Sequence, residues 1–294
     1  MPLVELVRAV THDGLRLDGA LAAPNLADPQ PPTTDSRPSA ALLLHGVAGN
    51  FYSSSTFEPL IPKLQAMGLA VLSVNTRGHD SVFNGSLGNV RRRLGAAFET
   101  VDDCRLDVAA WIEFLKSRGH ERIVLIGHSL GAIKAVYAQA HEKFPQVISV
   151  VAISGPRLSY SAFMNSPESS LFWESMHNAQ QMVQAGRRDE LFTSNFPFPL
   201  LITAASYIDK YGPAERYNML KFAADLPCPT LFTYGSKELS QGGIAFAGVP
   251  DALMSLPNSD RRAVEVIEGA DHVYAGVGDL LAKEVAHWML AKAP

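Results

Sequence analysis

Gly127-His128-Ser129-Leu130-Gly131 sets a hydroxyl between two residues without side chains, after the apolar run Ile123-Val124-Leu125-Ile126 and before Ala132-Ile133-Lys134-Ala135-Val136-Tyr137-Ala138. Where a buried strand turns directly into a helix, the residue at the turn is forced into a strained conformation. A side chain two positions to either side would then collide with neighbouring backbone. The pattern predicts a nucleophile elbow. Ser129 is held out of the sheet, beside the unpaired N–H groups and partial positive charge of a helix start.

A serine hydroxyl attacks poorly at neutral pH unless a base takes its proton, and the base needs a third group to orient it. Nine histidines are present. His12 falls in a turn, His120 and His141 on polar helix ends, His177 in a central segment and His287 on the last helix. His45 and His79 belong to strand-end loops, and His128 lies inside the elbow, expected to point away from the exposed face of the serine. His272 differs, because Gly269-Ala270-Asp271-His272 follows the strand expected at Ala263 to Ile267, at a sheet edge where a base could reach Ser129. The orienting acid is expected between serine and histidine in chain order, at another strand end. Glu238, after Tyr234-Gly235-Ser236-Lys237, meets both conditions; Asp251 is its rival, and Asp271 is too close to the base to face it.

His45-Gly46-Val47-Ala48-Gly49 follows the strand expected at 40–44, and its glycines let backbone N–H groups face a developing negative oxygen. The Val47 and Leu130 amides are the expected oxyanion hole. Asn75-Thr76-Arg77-Gly78-His79-Asp80-Ser81 reads as a polar supporting loop, Arg91-Arg92-Arg93 as a solvated face, and Asp102 and Asp103 as a helix start.

Those groups need a frame. Residues 3–10 and 15–22 alternate around His12-Asp13-Gly14 as an antiparallel hairpin at the edge of a sheet. Residues 24–38 carry five prolines and read as a surface loop. Beyond it, strands are expected at Ala40 to Leu44, Leu69 to Val74, Arg122 to Ile126 and Val147 to Ile153, with helices from Phe57 to Met67 and Val101 to Lys116. Alternation stops from Gly155 to about Leu226, where helical patches are expected at 170–185 and 214–224. It resumes at 229–234 and 263–267, and a helix from about 278 to 292 closes the chain. The order implies a mostly parallel sheet covered by helices on both faces, with any site outside the carboxyl ends of its strands. The expected division is a core of 1–154 and 227–294 with an inserted cap of 155–226.

Composition narrows the partners. A chain of 294 residues with 47% hydrophobic residues and a formal charge of −4 has no basic footprint for nucleic acid and no acidic tail, so a small molecule is the expected partner. Cys104 and Cys228 are too few and too far apart for a disulfide framework or a metal cluster, which fits a reducing compartment. No window reaches eighteen uninterrupted apolar residues and the first residues lack a leader pattern, so the expectation is a cytoplasmic protein without a membrane span.

Taken together, the chain resembles an α/β-hydrolase-fold serine hydrolase of the esterase type with an inserted cap, over nearly its whole length. Ser129 matches the nucleophile of that family, Glu238 the acid after the penultimate core strand, His272 the base and His45-Gly46 the oxyanion loop; the Arg77-Gly78-His79 loop matches as well. The chain departs from the family pattern with Asn75 in place of an aspartate, Asp80 in place of a glycine and glutamate where aspartate is the commoner acid. The resemblance implies a carboxylic ester hydrolase that forms an acyl-enzyme and calls for no cofactor or metal. Phe163, Phe172, Trp173, Met176, Phe196, Phe198 and Tyr207 are candidates either for an apolar pocket roof or for the cap's own core. The rival readings are a hydrolase of carbon–carbon, thioester, amide or lactone bonds on the same triad, and a non-catalytic receptor for a small ligand.

Overall fold

Alternate residues of the central strands face opposite sides of the sheet, and both sides are apolar. Leu42, Leu44, Leu72, Ile123 and Leu125 feed one hydrophobic cluster, while Ala41, Leu43, Val71, Val124 and Ile126 feed a second on the other face. A strand buried on both sides needs helices above and below it. The computed structural model describes residues 4–25, 37–167 and 169–291, and in it the strands are β1 (Val4–Val10), β2 (Arg16–Ala22), β3 (Ala40–Leu44), β4 (Ala70–Val74), β5 (Phe83–Leu87), β6 (Val90–Leu94), β7 (Ile123–His128), β8 (Val147–Ile153), β9 (Leu191–Ser194), β10 (Leu200–Thr203), β11 (Thr230–Gly235) and β12 (Arg262–Ile267). The helices are α1 (Leu60–Ala66), α2 (Cys104–Ser117), α3 (Leu130–Glu142), α4 (Tyr160–Met164), α5 (Ser169–Gln184), α6 (Ala204–Tyr211), α7 (Ser236–Gln241), α8 (Val249–Met254) and α9 (Gly278–Ala291).

Eight strands form the main sheet in the order β1-β2-β4-β3-β7-β8-β11-β12. Pairing is antiparallel from β1 through β2 to β4 and parallel from there on, so the hairpin at the start is the edge of an otherwise parallel sheet, as its alternation implies. Helices α2 and α3 cover one face and α1 and α9 the other. Residues 26–36 of the expected proline-rich loop, together with Leu3 and Lys292 at the ends of expected elements, lie outside the described residues.

Three expectations change. The Phe57–Met67 helix is regular only from Leu60, the preceding residues being turns. Arg91, Arg92 and Arg93 are exposed as expected but lie on β6 of the small hairpin β5–β6, which the three adjacent charges concealed. Between α5 and β11 the next helix is α6 at 204–211, whereas 214–224 holds only short helical turns. That segment also contains the β9–β10 hairpin, which the breakdown of alternation hid.

The 155–226 segment shares the larger hydrophobic cluster with the sheet. Of its seven singled-out residues, Phe163, Phe172, Met176, Phe196 and Tyr207 are buried in that cluster; Trp173 and Phe198 are exposed. Phe163, Phe172 and Phe196 form a three-ring contact with centroids 4.9–5.4 Å apart, within the range favoured by aromatic pairs. Five of the seven are therefore core residues of the 155–226 segment, which is the second of the two alternatives. Polar ties fasten this segment to the rest of the fold. The Thr203 amide donates to the Ala97 carbonyl at 2.8 Å, and Lys210 lies 3.8 Å from the buried carboxylate of Glu99, which also pairs with Lys134 at 2.5 Å.

Candidate active site

The site begins with a collision that glycine avoids. A Cβ on Gly127 would stand 2.0 Å from the Gly131 carbonyl oxygen, and one on Gly131 would stand 2.2 Å from the Leu44 carbonyl oxygen, so the start of helix α3 can lie this close to strands β7 and β3 only without side chains at those positions. Between them Ser129 takes φ 57° and ψ −121°, a left-handed backbone that costs a serine on the order of 1–3 kcal/mol. Packing sustains it. The Ser129 amide donates to the Ile153 carbonyl on β8 at 2.8 Å, and the Ser129 carbonyl accepts from the Ala132 amide at 3.0 Å.

His272 and Glu238 come from the carboxyl ends of β12 and β11. Nε2 of His272 lies 3.0 Å from Ser129 Oγ, and Nδ1 of the same ring makes a short hydrogen bond with Glu238 Oε1. Glu238 is buried on the third residue of α7, and its other oxygen accepts the Gly235 amide at 3.3 Å and the Ser154 hydroxyl at 2.7 Å. The extra methylene of glutamate thus spans from α7 to the ring. Asp251 lies exposed in the first turn of α8, and Asp271 accepts the amides of Val273 and Ala275 in its own loop.

The His45–Gly49 loop leans on the serine: a Cβ on Gly46 would lie 3.1 Å from Ser129 Cβ. His45 is buried and holds the loop from within. Its Nε2 accepts the Thr76 amide at 3.1 Å, which leaves Nδ1–H to donate to the Gly46 carbonyl at 2.7 Å. Burial, reinforced by the nearby Lys134 charge, pushes the His45 pKa down to about 3, so the ring is a neutral brace. Leu130 is the first residue of α3, where an amide has no acceptor within the helix. The structure therefore brings the Val47 loop and the Leu130 turn to the same serine. The 75–81 loop supports them from behind: the Arg77 guanidinium donates to the buried carboxylate of Asp107 at 2.9–3.0 Å, and the Asp80 amide donates to the Gly49 carbonyl at 3.0 Å.

One residue of the elbow has a larger part than its position suggests. His128 does not merely point away; its Nε2–H donates to the His272 carbonyl at 2.8 Å and its ring centre lies 5.0 Å from that of His272. Burial and the neighbouring imidazole push its pKa down to about 4. On the other side the Phe246 ring stands edge-on to His272, with centroids 5.3 Å apart. The signal for His128 was its place beside the serine at a strand end, where the next strand's loop must pass; nothing in the local pattern points to Phe246.

This geometry, a left-handed serine between strand and helix with a histidine and a glutamate from the ends of β12 and β11, agrees with a family model described as the alpha/beta hydrolase family, which matches residues 41–287. The chain belongs to the alpha/beta hydrolase family. No curated protein matches the chain. Among solved structures, Est1E from Butyrivibrio proteoclasticus with bound ferulic acid superposes with a TM-score of 0.64 at 15% identity, covering 97% of this chain and 99% of that one. The Pyrococcus furiosus esterase Pf2001 gives a TM-score of 0.63 at 17% identity over 99% and 92% of the two chains. The esterase domain of a Rhodothermus marinus protein gives 0.58 at 16% identity over 99% and 100%. At such identities the likeness is one of fold. In this hydrolase-family chain no described helix is long and apolar enough to cross a membrane.

Proposed function

We propose that the protein is a serine hydrolase that cleaves a carboxylic ester through an acyl-enzyme, with Ser129 as nucleophile, His272 as general base and acid, and Glu238 as the carboxylate that orients and stabilises the imidazolium. The observation that carries this reading is the unbroken chain of contacts from Ser129 Oγ through both nitrogens of His272 to Glu238. In the first step Ser129 Oγ bonds to the ester carbonyl carbon as its proton passes to Nε2 of His272. The carbon–alkoxy bond then breaks and the same proton leaves with the alcohol. Water, deprotonated by His272, attacks the acyl carbon in the second step, and the serine recovers its proton as the acid departs. The Val47 and Leu130 amides hold the carbonyl oxygen while it is negative, each contributing about 3 kcal/mol to the transition state.

Two of the structural neighbours are named as esterases, the Pyrococcus furiosus Pf2001 protein and the Rhodothermus marinus domain, and this supports an ester as the bond cleaved. Residues 155–226 act in this reading as a cap over the carboxyl ends of the strands, with 1–154 and 227–294 as the core, and the substrate is a small and partly apolar molecule. Two measurements test the reading together. A fluorophosphonate should label Ser129 rapidly and stoichiometrically, and a panel of p-nitrophenyl esters should contain at least one turned over repeatedly. Labelling without turnover of any ester, thioester or lactone would favour a receptor built on the same fold, and turnover confined to amides would move the bond class.

A further inference from the structure

Glu238 has two oxygens, and only one is used on His272. The other accepts the Ser154 hydroxyl at 2.7 Å. Ser154 Oγ in turn lies 3.1 Å from the Tyr274 hydroxyl, which lies 3.1 Å from Thr233 Oγ1. Ser154, Tyr274 and Thr233 are all buried. A carboxylate only accepts, so the single Ser154 proton must point at Glu238. Ser154 then accepts from Tyr274, and Tyr274 accepts from Thr233. Every proton in this row points toward the acid, an arrangement in which each bond polarises the next.

The backbone adds an independent observation. Ser154 has φ 50° and Tyr274 has φ 59°, both left-handed and both unfavourable for residues with side chains. Ser154 leaves β8 at the point where the main chain enters the 155–226 segment, and Tyr274 follows His272 by two residues. A right-handed backbone at either position would swing its hydroxyl away from the row.

We infer that Ser154 and Tyr274 are positioning residues for the proton-transfer step: through their hydroxyl row they hold the Glu238 carboxylate in the orientation that keeps His272 aimed at Ser129. The inference rests on the catalytic roles given above to Ser129, His272 and Glu238. It adds to them a dependence on two side chains that touch neither the serine nor the histidine ring.

The test measures fluorophosphonate labelling of Ser129, resolved into a maximal rate and a half-saturating concentration, so that no substrate need be known. Ser154→Ala should lower the maximal rate about 10–100-fold, the span of a hydrogen bond to a charged group, and leave the half-saturating concentration within about twofold. Tyr274→Phe, one bond further away, should lower it about 3–10-fold. In a Glu238→Ala background both substitutions should cost less than about twofold, because their route to the histidine is gone. A merely structural role would give equal losses in both backgrounds, and that additivity, or an unchanged maximal rate in folded Ser154→Ala, overturns the inference. Thermal melts identify any variant that fails to fold; should Ser154→Ala be one, Tyr274→Phe, which opens no cavity, decides the question by the same criterion. Failure of the underlying reading is distinguishable, since Ser129→Ala would then still label or Glu238→Ala alone would label at the parental rate.

Discussion

Ser129 is positioned largely by its own neighbours in the chain, with backbone contacts from Ile153 and Leu44 on other strands. Gly127 and Gly131 permit the close crossing, helix α3 supplies the amide, and the residues that define the turn lie within one stretch of five. His272 and Glu238 are positioned by residues far away in sequence: Ser154 at the end of β8, His128 inside the elbow and Phe246 before α8. Ser129 is held by backbone atoms that cannot overlap, and His272 and Glu238 by hydrogen bonds that can be removed singly. Damage to the first half should be all or nothing, and damage to the second graded.

The sharpest way to break this comparison is at the nucleophile. Ser129→Ala should leave the melting temperature within a few degrees of the parent and lower kcat on any ester substrate by about 10⁴–10⁶; near-parental turnover would remove the mechanism. At the proton-transfer pair, Glu238→Gln should cut kcat by about 10²–10⁴, since an amide can hold the ring without stabilising its charged form. Asp251→Asn should change kcat less than about twofold, and the reverse ranking on one substrate at one pH would transfer the acid role to Asp251.

The same contrast can be drawn inside the 155–226 segment, where position outweighs composition. Phe172, buried against Phe163 and Phe196, should cost about 3–5 kcal/mol of stability as Phe172→Ala. Phe198, exposed, should cost within about 0.5 kcal/mol as Phe198→Ala, read from urea midpoints of the two proteins. Equal losses would show that Phe198 is covered in solution.

A last contrast concerns pH. His45 and His128 are held to about 3 and about 4 by burial, below the ordinary 6.5. Between those values the unfolded chain binds protons that the folded one refuses, so stability falls as pH drops from about 6 to about 4, by about 1.4 kcal/mol per pH unit for each histidine. Urea midpoints at pH 7 and pH 5 measure this, and His128→Gln should remove about half of the difference. A stability that is level across that range would mean that both rings take up protons in the native protein as readily as in the unfolded chain.

Much of this was legible in the residues themselves. The elbow was, because its two glycines and the switch from β to helical periodicity are local. The alternation of Leu42 and Leu44 with Ala41 and Leu43 was concealed in a continuous apolar run, yet such a run is itself the mark of a strand buried on both faces. The β5–β6 and β9–β10 hairpins were not legible. Arg91 to Arg93 mask any alternation in the first, and the second has only four residues per strand. Helix α6 fell outside the expected patch because its buried face, including Tyr207, Lys210 and Tyr211, takes its partners from other parts of the fold. Ser154 and Tyr274 gave no sign at all, since a left-handed φ on a non-glycine residue is imposed by packing and leaves no compositional trace.

By itself, then, the amino-acid order determined the sheet, the serine at its centre, and a histidine and a glutamate at later strand ends, because periodicity, glycine placement and chain order act over short distances. Which of two acids faces the histidine, how Glu238 spans to it from α7, and which side chains hold that pair were decided by the tertiary structure alone. Those relations join residues 34 to 144 positions apart, and only the register of β8, β11 and β12 brings them within hydrogen-bonding distance.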